Sequence, residues 1–167
     1  NRKKININKK EKIITFVGKL NKSKGYDLFG KAITKILNDF KDWKAIVIGD
    51  EHREKIFFEH KRLVNMGYRS NEEVLKVYAK SSIAVACSRW EEPFGRSSLE
   101  ASSRGCAVII SNRGGLPETI TDGIILNKLT ADNIYNNIKK LIINKKKLRD
   151  IQIRSFKNFY LDNEFIA

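Results

Sequence analysis

Short apolar runs that alternate with helical segments constrain the fold of this chain most. The runs Ala45–Ile48, 83–87 and 107–110 are apolar and Ile13–Val17 is β-branched and aromatic, without the polar residue at every second position that a half-exposed strand shows. Such runs are typical of strands buried on both faces of a parallel sheet. The sequence therefore predicts an α/β fold: a Rossmann-like, doubly wound parallel sheet of about six strands with helices on both faces.

The remaining elements fit the same alternation. Two further short strands are expected at 62–66 and 123–126. Helices are expected at 26–40, 51–60, 71–80, about 95–104, 130–143 and 145–160. Asn71 precedes two glutamates and is the expected N-cap of its helix, because a capping side chain and early acidic residues both stabilise a helix start.

The N-terminal residues differ in composition from the rest. Residues 1–12 are polar and Lys-rich, so we interpret them as a linker from a missing N-terminal domain and 13–167 as one domain. No apolar run approaches the roughly 20 residues that cross a bilayer, and the N-terminus does not resemble a signal peptide. We expect a cytoplasmic protein in which Cys87 and Cys106 are buried free thiols.

The net charge of +14 permits several partners. The lysines are mostly dispersed, as on a solvated surface, and no motif of a nucleic-acid-binding fold is present, so nucleic acid is not an expected partner. Peripheral contact with an anionic membrane at its inner face is the alternative, because each basic residue near such a surface contributes about 1 kcal/mol.

The loops that follow the strands are the expected ligand site, since doubly wound sheets bind ligands beyond the carboxyl ends of their strands. The stretch Glu91–Gly105 carries the most chemistry there. An apolar strand, a Pro93–Gly95 turn and a helix follow one another, and the free amides of a helix N-terminus attract anions. Glu92 precedes a proline and belongs to the loop, whereas Glu100 lies inside the helix.

This arrangement predicts separate subsites for one ligand. The two carboxylates can only accept hydrogen bonds, which suits hydroxyl groups on different parts of the ligand. The backbone amides of Phe94, Gly95 and Arg96 would meet an anion between them, and Lys19 and Lys24 would add positive charge from the first loop. Sugar hydroxyls, a diphosphate and ribose hydroxyls match this order of groups.

The chain resembles the C-terminal, donor-binding domain of the family 4 retaining glycosyltransferases, which have the GT-B architecture. The matching residues are Gly18-Lys19-Leu20, Lys24-Gly25, Gly67 ahead of Glu72-Glu73, Glu92-Pro93-Phe94-Gly95, Leu99-Glu100-Ala101, Gly105 and Gly114-Gly115-Leu116-Pro117-Glu118. They are collinear over about 13–126, which is most of the chain.

The resemblance implies a role for each matched position. Lys24 and Lys19 would hold the donor diphosphate, although the family usually has Arg at the latter position. Glu92 would bind the transferred sugar, and Glu100 the ribose hydroxyls. The backbone around Met66, Gly67, Tyr68 and Arg69 would frame the base. Arg96 departs from the family pattern, and either a phosphate contact or simple solvation would explain it.

The same resemblance implies the reaction: transfer of a sugar from a nucleotide-diphosphate sugar, such as a UDP or GDP sugar, to a saccharide or lipid-linked acceptor, with retention of anomeric configuration. The acceptor would bind the missing N-terminal domain, so the isolated domain is expected to be inactive. Polysaccharide or lipopolysaccharide biosynthesis is the expected setting. No Asp-x-Asp triplet occurs, and we expect no metal or other cofactor. A non-catalytic nucleotide-binding scaffold module and a nucleotide-sugar epimerase of the same architecture are the alternatives.

Overall fold

A computed structural model describes residues 5–120 and 122–159 of the chain. Six strands form one sheet in which all pairings are parallel, in the order β3-β2-β1-β4-β5-β6. The strands are β1 (Glu11–Val17), β2 (Lys44–Ile48), β3 (Leu63–Asn65), β4 (Ser81–Ala86), β5 (Ala107–Ser111) and β6 (Ile124–Leu126). The predicted Rossmann-like fold is confirmed.

Helices cover both faces of this sheet. They are α1 (Tyr26–Asp39), α2 (Asn71–Lys80), α3 (Arg96–Ser103), α4 (Ala131–Ile143) and α5 (Lys145–Lys157). Alternate residues of each central strand point to opposite faces, so one core joins the sheet to α1, α4 and α5 and a second joins it to α2 and α3. Burial on both sides explains the continuous apolar runs.

The expected helix at 51–60 is wrong. That segment is irregular, and its half-buried side chains alternate: Ile56 and Phe58 pack on the core, whereas Phe57 is 78% exposed. The ring of Phe58 lies edge-on to Tyr26, with 5.8 Å between centroids. This period of two belongs to extended chain and not to a helix.

The N-cap of α2 is also displaced by one residue from the prediction. Ser70, and not Asn71, has the extended cap conformation, and its hydroxyl accepts the Glu73 N–H. Both residue types cap well, so composition alone does not choose between neighbours. The displacement places Asn71 in the first turn of the helix.

Structured chain begins before the predicted domain boundary at residue 13. Residues Ile7–Lys9 form a short 3-10 helix, and the Lys10 ammonium donates to the carbonyls of Tyr78 and Arg104 at 2.8 and 2.6 Å. Because Lys10 donates to these two partly buried carbonyls, the segment predicted to be a linker is attached to the domain. Residues 1–4 of the predicted linker and residues 160–167 at the C-terminal end of the predicted domain lie outside the described residues. A link to a further domain stays a prediction.

Candidate functional site

The strand order reverses between β1 and β4, which are parallel neighbours in the middle of the sheet: β2 and β3 are added on one side of this pair, and β5 and β6 on the other. The helix after β1 covers one face and the helix after β4 covers the other, so the loops that leave these two strands separate and open a crevice. A cavity of about 520 Å³ lies there. Its lining is Phe16, Val17, Gly18, Lys24, Arg69, Asn71, Val74, Ala86, Cys87, Ser88, Glu92, Phe94, Gly95, Arg96, Ser97, Ser98, Glu100 and Leu116.

Lys24 and Glu92 meet across this cavity. The Lys24 ammonium donates to Glu92 Oε1 and forms an ion pair with it, although the two residues belong to different loops. Their side chains are 27% and 12% exposed. The same ammonium lies 5.2 Å from the centroid of the Trp90 ring, a cation–π arrangement. The first loop and the β4–α3 loop thus contribute one charge each to a common position.

Two neighbouring segments hold the Lys24 loop in place. Asn21 accepts the Lys24 N–H at 2.9 Å and donates to Glu51 at 2.8 Å, which ties the loop to the segment after β2. Arg89 makes a bidentate ion pair with Asp27, with both contacts at 2.7 Å. These contacts fix the backbone that carries Lys24.

The Arg89 segment also bonds the loop backbone directly. The Arg89 N–H donates to the Ser23 carbonyl at 2.8 Å, and the Ser88 hydroxyl donates to the same oxygen at 3.1 Å. The guanidinium of Arg89 keeps the pKa of the Asp27 carboxyl below its ordinary value through its hydrogen bonds. The two loops therefore behave as one hydrogen-bonded unit.

The backbone of the two glycines that follow β5, Gly114 and Gly115, packs closely against the backbone of Glu92. Gly115 N–H donates to the Glu92 carbonyl at 2.5 Å, and Gly114 N–H donates to the Glu91 side chain. Gly114 has φ +50, and a Cβ added there would collide with the Glu92 carbonyl and amide. The glycine pair after β5 is needed because only a residue without a side chain permits this approach.

Glu100 occupies a different environment on α3. Its side chain is 4% exposed, and Arg96 Nε donates to its Oε1 at 2.7 Å. The Asn71 amide lies 2.9 and 3.1 Å from the two carboxylate oxygens, and both groups are satisfied when its nitrogen faces them. Burial raises the pKa of Glu100, and the Arg96 side chain opposes that rise.

The N-terminus of α3 borders the cavity. No side chain caps this helix, so its first backbone N–H groups are expected to attract an anion. The Arg96 backbone N–H was expected to meet an anion, but it donates to the Phe94 carbonyl at 3.0 Å. Arg96 therefore offers its side chain, and not its N–H, to the site. Phe94 and Gly95 line the cavity, as predicted.

The structure brings some predicted residues together and leaves others outside. Lys24, Glu92, Phe94, Gly95, Arg96, Glu100 and Arg69 line one cavity. Lys19, Gly67 and Tyr68 are absent from its wall, and Tyr68 is 75% exposed. The diphosphate role of Lys19 and the base contacts of Gly67 and Tyr68 stay predictions.

Three residues that shape the site are not identified by the sequence alone: Asn71, Arg89 and Asp27. The sequence predicts Asn71 as a helix cap, but it is the first residue of α2 and its amide reaches Glu100. Arg89 and Asp27 are 62 residues apart, and no local pattern links them. The expected buried thiols are confirmed: Cys87 and Cys106 are free and buried, and burial raises the pKa of Cys87 to about 12.

Within residues 5–120 and 122–159, no three His, Cys, Asp or Glu side chains are grouped so that they could hold a metal ion. In the same part of the chain, no helix combines the length and apolarity that crossing a membrane requires. The expectation that no metal is needed stays a prediction.

The family of glycosyl transferases group 1 matches residues 1–158 of the chain. The chain belongs to the glycosyl transferases group 1 family. The C-terminal domain of a group 1 glycosyl transferase, LpcC from Francisella tularensis, superposes on this glycosyltransferase chain with a TM-score of 0.77 and 25% identity, over 89% of this chain and 84% of that one. The predicted family and its GT-B-type C-terminal domain fold are confirmed.

Two longer proteins extend this comparison. HepE from Anabaena, solved in complex with UDP-glucose, superposes with a TM-score of 0.76 and 19% identity over 89% of this chain and 44% of that one. The lipopolysaccharide 1,2-N-acetylglucosaminetransferase of Salmonella typhimurium is 24% identical over 164 residues, which is 87% of this chain and 43% of that protein. The glycosyltransferase chain spans 33%, 34% and 43% of three curated relatives.

Proposed function

We propose that this chain is the donor-binding half of a glycosyltransferase that transfers a sugar from a nucleotide-diphosphate sugar to a saccharide or lipid-linked acceptor with retention of configuration. The observation that carries the proposal is the convergence of Lys24, Glu92 and the buried Glu100 on one cavity at the crevice between β1 and β4. Family membership supports the reaction class.

The cavity divides into regions that suit the parts of such a donor. Glu100 lies on the α3 side and would accept the ribose hydroxyls, whereas Glu92 lies at the opposite loop and would accept hydroxyls of the transferred sugar. Lys24 and the N-terminus of α3 would face the diphosphate between them. Arg69, which lines the same cavity, would border the base.

Departure of a nucleoside diphosphate builds negative charge on the leaving phosphate. Lys24 and the positive end of α3 would stabilise that charge, which is greater in the transition state than in the bound donor. Lys24 pairs with Glu92, so a diphosphate would compete with that carboxylate for the ammonium. Glu92 would then be released toward the sugar hydroxyls.

The relatives support the setting of the reaction. HepE was solved with UDP-glucose and with UDP, and the Salmonella relative is named as a lipopolysaccharide 1,2-N-acetylglucosaminetransferase. We propose a donor with a nucleoside diphosphate leaving group and a cell-surface polysaccharide or lipopolysaccharide acceptor. The acceptor would bind residues outside this chain, at the cytoplasmic side of the membrane, so this chain alone would not transfer sugar.

Calorimetric titration of this chain with UDP, GDP, ADP, CDP and dTDP tests the donor site. We expect one of them to bind, with Glu100→Ala weakening it about tenfold or more, as expected for loss of hydrogen bonds to a charged group. Glu92→Ala should weaken it less, because Glu92 would contact the sugar that a free nucleotide lacks. Glu72→Ala on the exposed face of α2 is the control. Absence of binding by all five nucleotides would overturn the site.

Activity needs a longer form of the protein. With nucleotide-sugar donors and saccharide acceptors, product analysis should show transfer with retained anomeric configuration, with and without EDTA. Altered donor without transfer would identify an epimerase, and binding without any product would identify a scaffold module. Either result would overturn the proposed reaction but leave the donor site in place.

A further inference from the structure

The Arg96 side chain makes a contact that helix stability does not explain. Arg96 is the first residue of α3 and Glu100 follows one turn later, so both lie on one helix face. A cation at a helix N-terminus opposes the macrodipole, and an ion pair with the cation first in sequence is the weaker of the two orders. The helix alone would favour another residue here.

The geometry of Arg96 resolves its role differently from either sequence expectation. The side chain is 66% exposed, but its Nε donates to the buried Glu100 at 2.7 Å. It is therefore neither simply solvated nor directed only at a phosphate. Its one charge-assisted hydrogen bond within the described chain goes to the carboxylate proposed to hold the ribose.

Asn71 approaches the same carboxylate from α2. When the Asn71 amide is oriented so that its nitrogen faces the carboxylate, which satisfies both groups, the nitrogen lies 2.9 Å from Oε1 and 3.1 Å from Oε2 of Glu100. An ionised carboxylate offers about four acceptor directions, and the donors from α2 and α3 together occupy most of them. Oε1 has two protein donors, whereas Oε2 has one and keeps capacity for a further donor from the cavity.

We propose that Arg96 and Asn71 form a clamp on Glu100 and that Arg96 is a positioning residue for the donor ribose, not a phosphate ligand. This inference rests on the proposed function, because it assigns the ribose to Glu100. Arg96 keeps the buried carboxylate ionised, and Asn71 fixes the plane of its oxygens. The clamp leaves Oε2 to accept a ribose hydroxyl.

The charges around Glu100 give the clamp a measurable sign. Burial raises the pKa of Glu100, whereas Arg96 and, at longer range, Arg104 at the C-cap of the same helix lower it. Tyr78 on α2 also senses the Glu100 charge, and Arg69 lines the cavity beside it. Removal of Arg96 leaves burial less opposed, so the pKa of Glu100 rises further.

Two variants and one control test the clamp. Arg96→Gln removes the charge, Arg96→Lys retains it without the Nε geometry, and Lys76→Gln removes a cation from an exposed ion pair of the same i,i+4 spacing on α2. Each is titrated with UDP, GDP and ADP, with their 2′-deoxy analogues and with the matching monophosphates. Carboxyl NMR of the free chain follows the pKa of Glu100.

We expect the wild-type chain to prefer the ribonucleotide over its 2′-deoxy analogue about tenfold, the usual effect of one hydrogen bond to a charged group. Arg96→Gln should reduce this preference to about twofold or less, leave the ratio of diphosphate to monophosphate affinity unchanged and raise the Glu100 pKa. Arg96→Lys should restore the pKa in large part and the preference in small part. Lys76→Gln should change none of the three.

The outcomes separate two failures. If Arg96→Gln instead lowers the ratio of diphosphate to monophosphate affinity and keeps the 2′-hydroxyl preference, Arg96 is a phosphate ligand and the clamp is overturned. An unchanged Glu100 pKa also overturns it. If the wild-type chain binds none of the nucleotides, the proposed function fails, and the ribose role of the clamp fails with it even when the NMR pKa shift is observed.

Discussion

The two carboxylates of the cavity are held in opposite ways. Glu92 lies on a loop, pairs with a lysine 68 residues away and is fixed through its backbone by the glycine pair after β5. Glu100 lies on a helix, is buried, and is fixed through its side chain by Arg96 and Asn71. One acid depends on the path of the chain and the other on neighbouring side chains.

This difference matches what each acid would do. A carboxylate on a loop beside a partly exposed lysine can exchange partners as a diphosphate arrives, whereas a buried and clamped carboxylate presents one geometry. Recognition of an invariant part of the ligand, the ribose, favours the rigid arrangement. The sugar side carries the adaptable one. Substitutions that act on the backbone should therefore damage Glu92, and those that act on side chains should damage Glu100.

The largest expected effect is that of Gly114→Ala. The new Cβ would collide with the Glu92 backbone at a residue with φ +50, and left-handed strain together with overpacking should cost about 2–4 kcal/mol of stability. Chemical denaturation measures this loss of stability.

Gly67→Ala is the matched control, because Gly67 has φ +68 but nothing lies within 4 Å of its added Cβ. It should lose only about 1 kcal/mol. Equal losses would show that strain alone, and not the contact with Glu92, requires the glycine.

The same distinction explains how far the sequence could predict this molecule. Apolar runs and turn residues predicted the sheet and nearly every helix, because those signals are local. The failure at 51–60 arose where tertiary packing of Ile56 and Phe58 overrides a charged, helix-compatible composition. Glu92, Lys24 and Glu100 were predicted from motif positions, but their partners depend on contacts that no local spacing encodes.

Arg89 illustrates the part that could not be predicted. Its pair with Asp27 connects the end of β4 to the start of α1, and its sequence context resembles that of any surface arginine. The parallel order of β1 beside β4 brings the two loops together. Only the sheet topology therefore turns this arginine into a support for the Lys24 loop.

Arg89→Gln should have a smaller effect that falls on the Lys24 side of the cavity. Loss of a partly exposed bidentate pair should cost about 1 kcal/mol and speed hydrogen exchange in residues 18–25 without changing exchange at Glu100. The Asp27 pKa lies below its ordinary value, so the difference from wild type should shrink as pH falls through that pKa. Lys12→Gln, which breaks an exposed pair with Asp42, is the control and should change stability little. Faster exchange on both sides of the cavity would contradict the division between the two carboxylates.

The smallest expected effect is on stability and has the opposite sign. Glu100→Gln should abolish ribose recognition but raise the melting temperature by about 1–2 °C at neutral pH, because burial makes the ionised carboxylate unfavourable even with Arg96 beside it. The folded-state pKa is raised, so the folded chain binds the proton more tightly than the unfolded chain. Wild-type stability therefore falls as pH rises from the ordinary Glu pKa through the raised folded value, whereas the Gln variant lacks this loss.

Thermal unfolding from acid to neutral pH should show that the melting temperatures of the two proteins converge at low pH and diverge above it. The control variant Glu72→Gln should show no such divergence from wild type. A variant less stable than wild type at neutral pH would mean that the clamp compensates fully for burial, in which case Glu100 is held for stability as much as for the ligand.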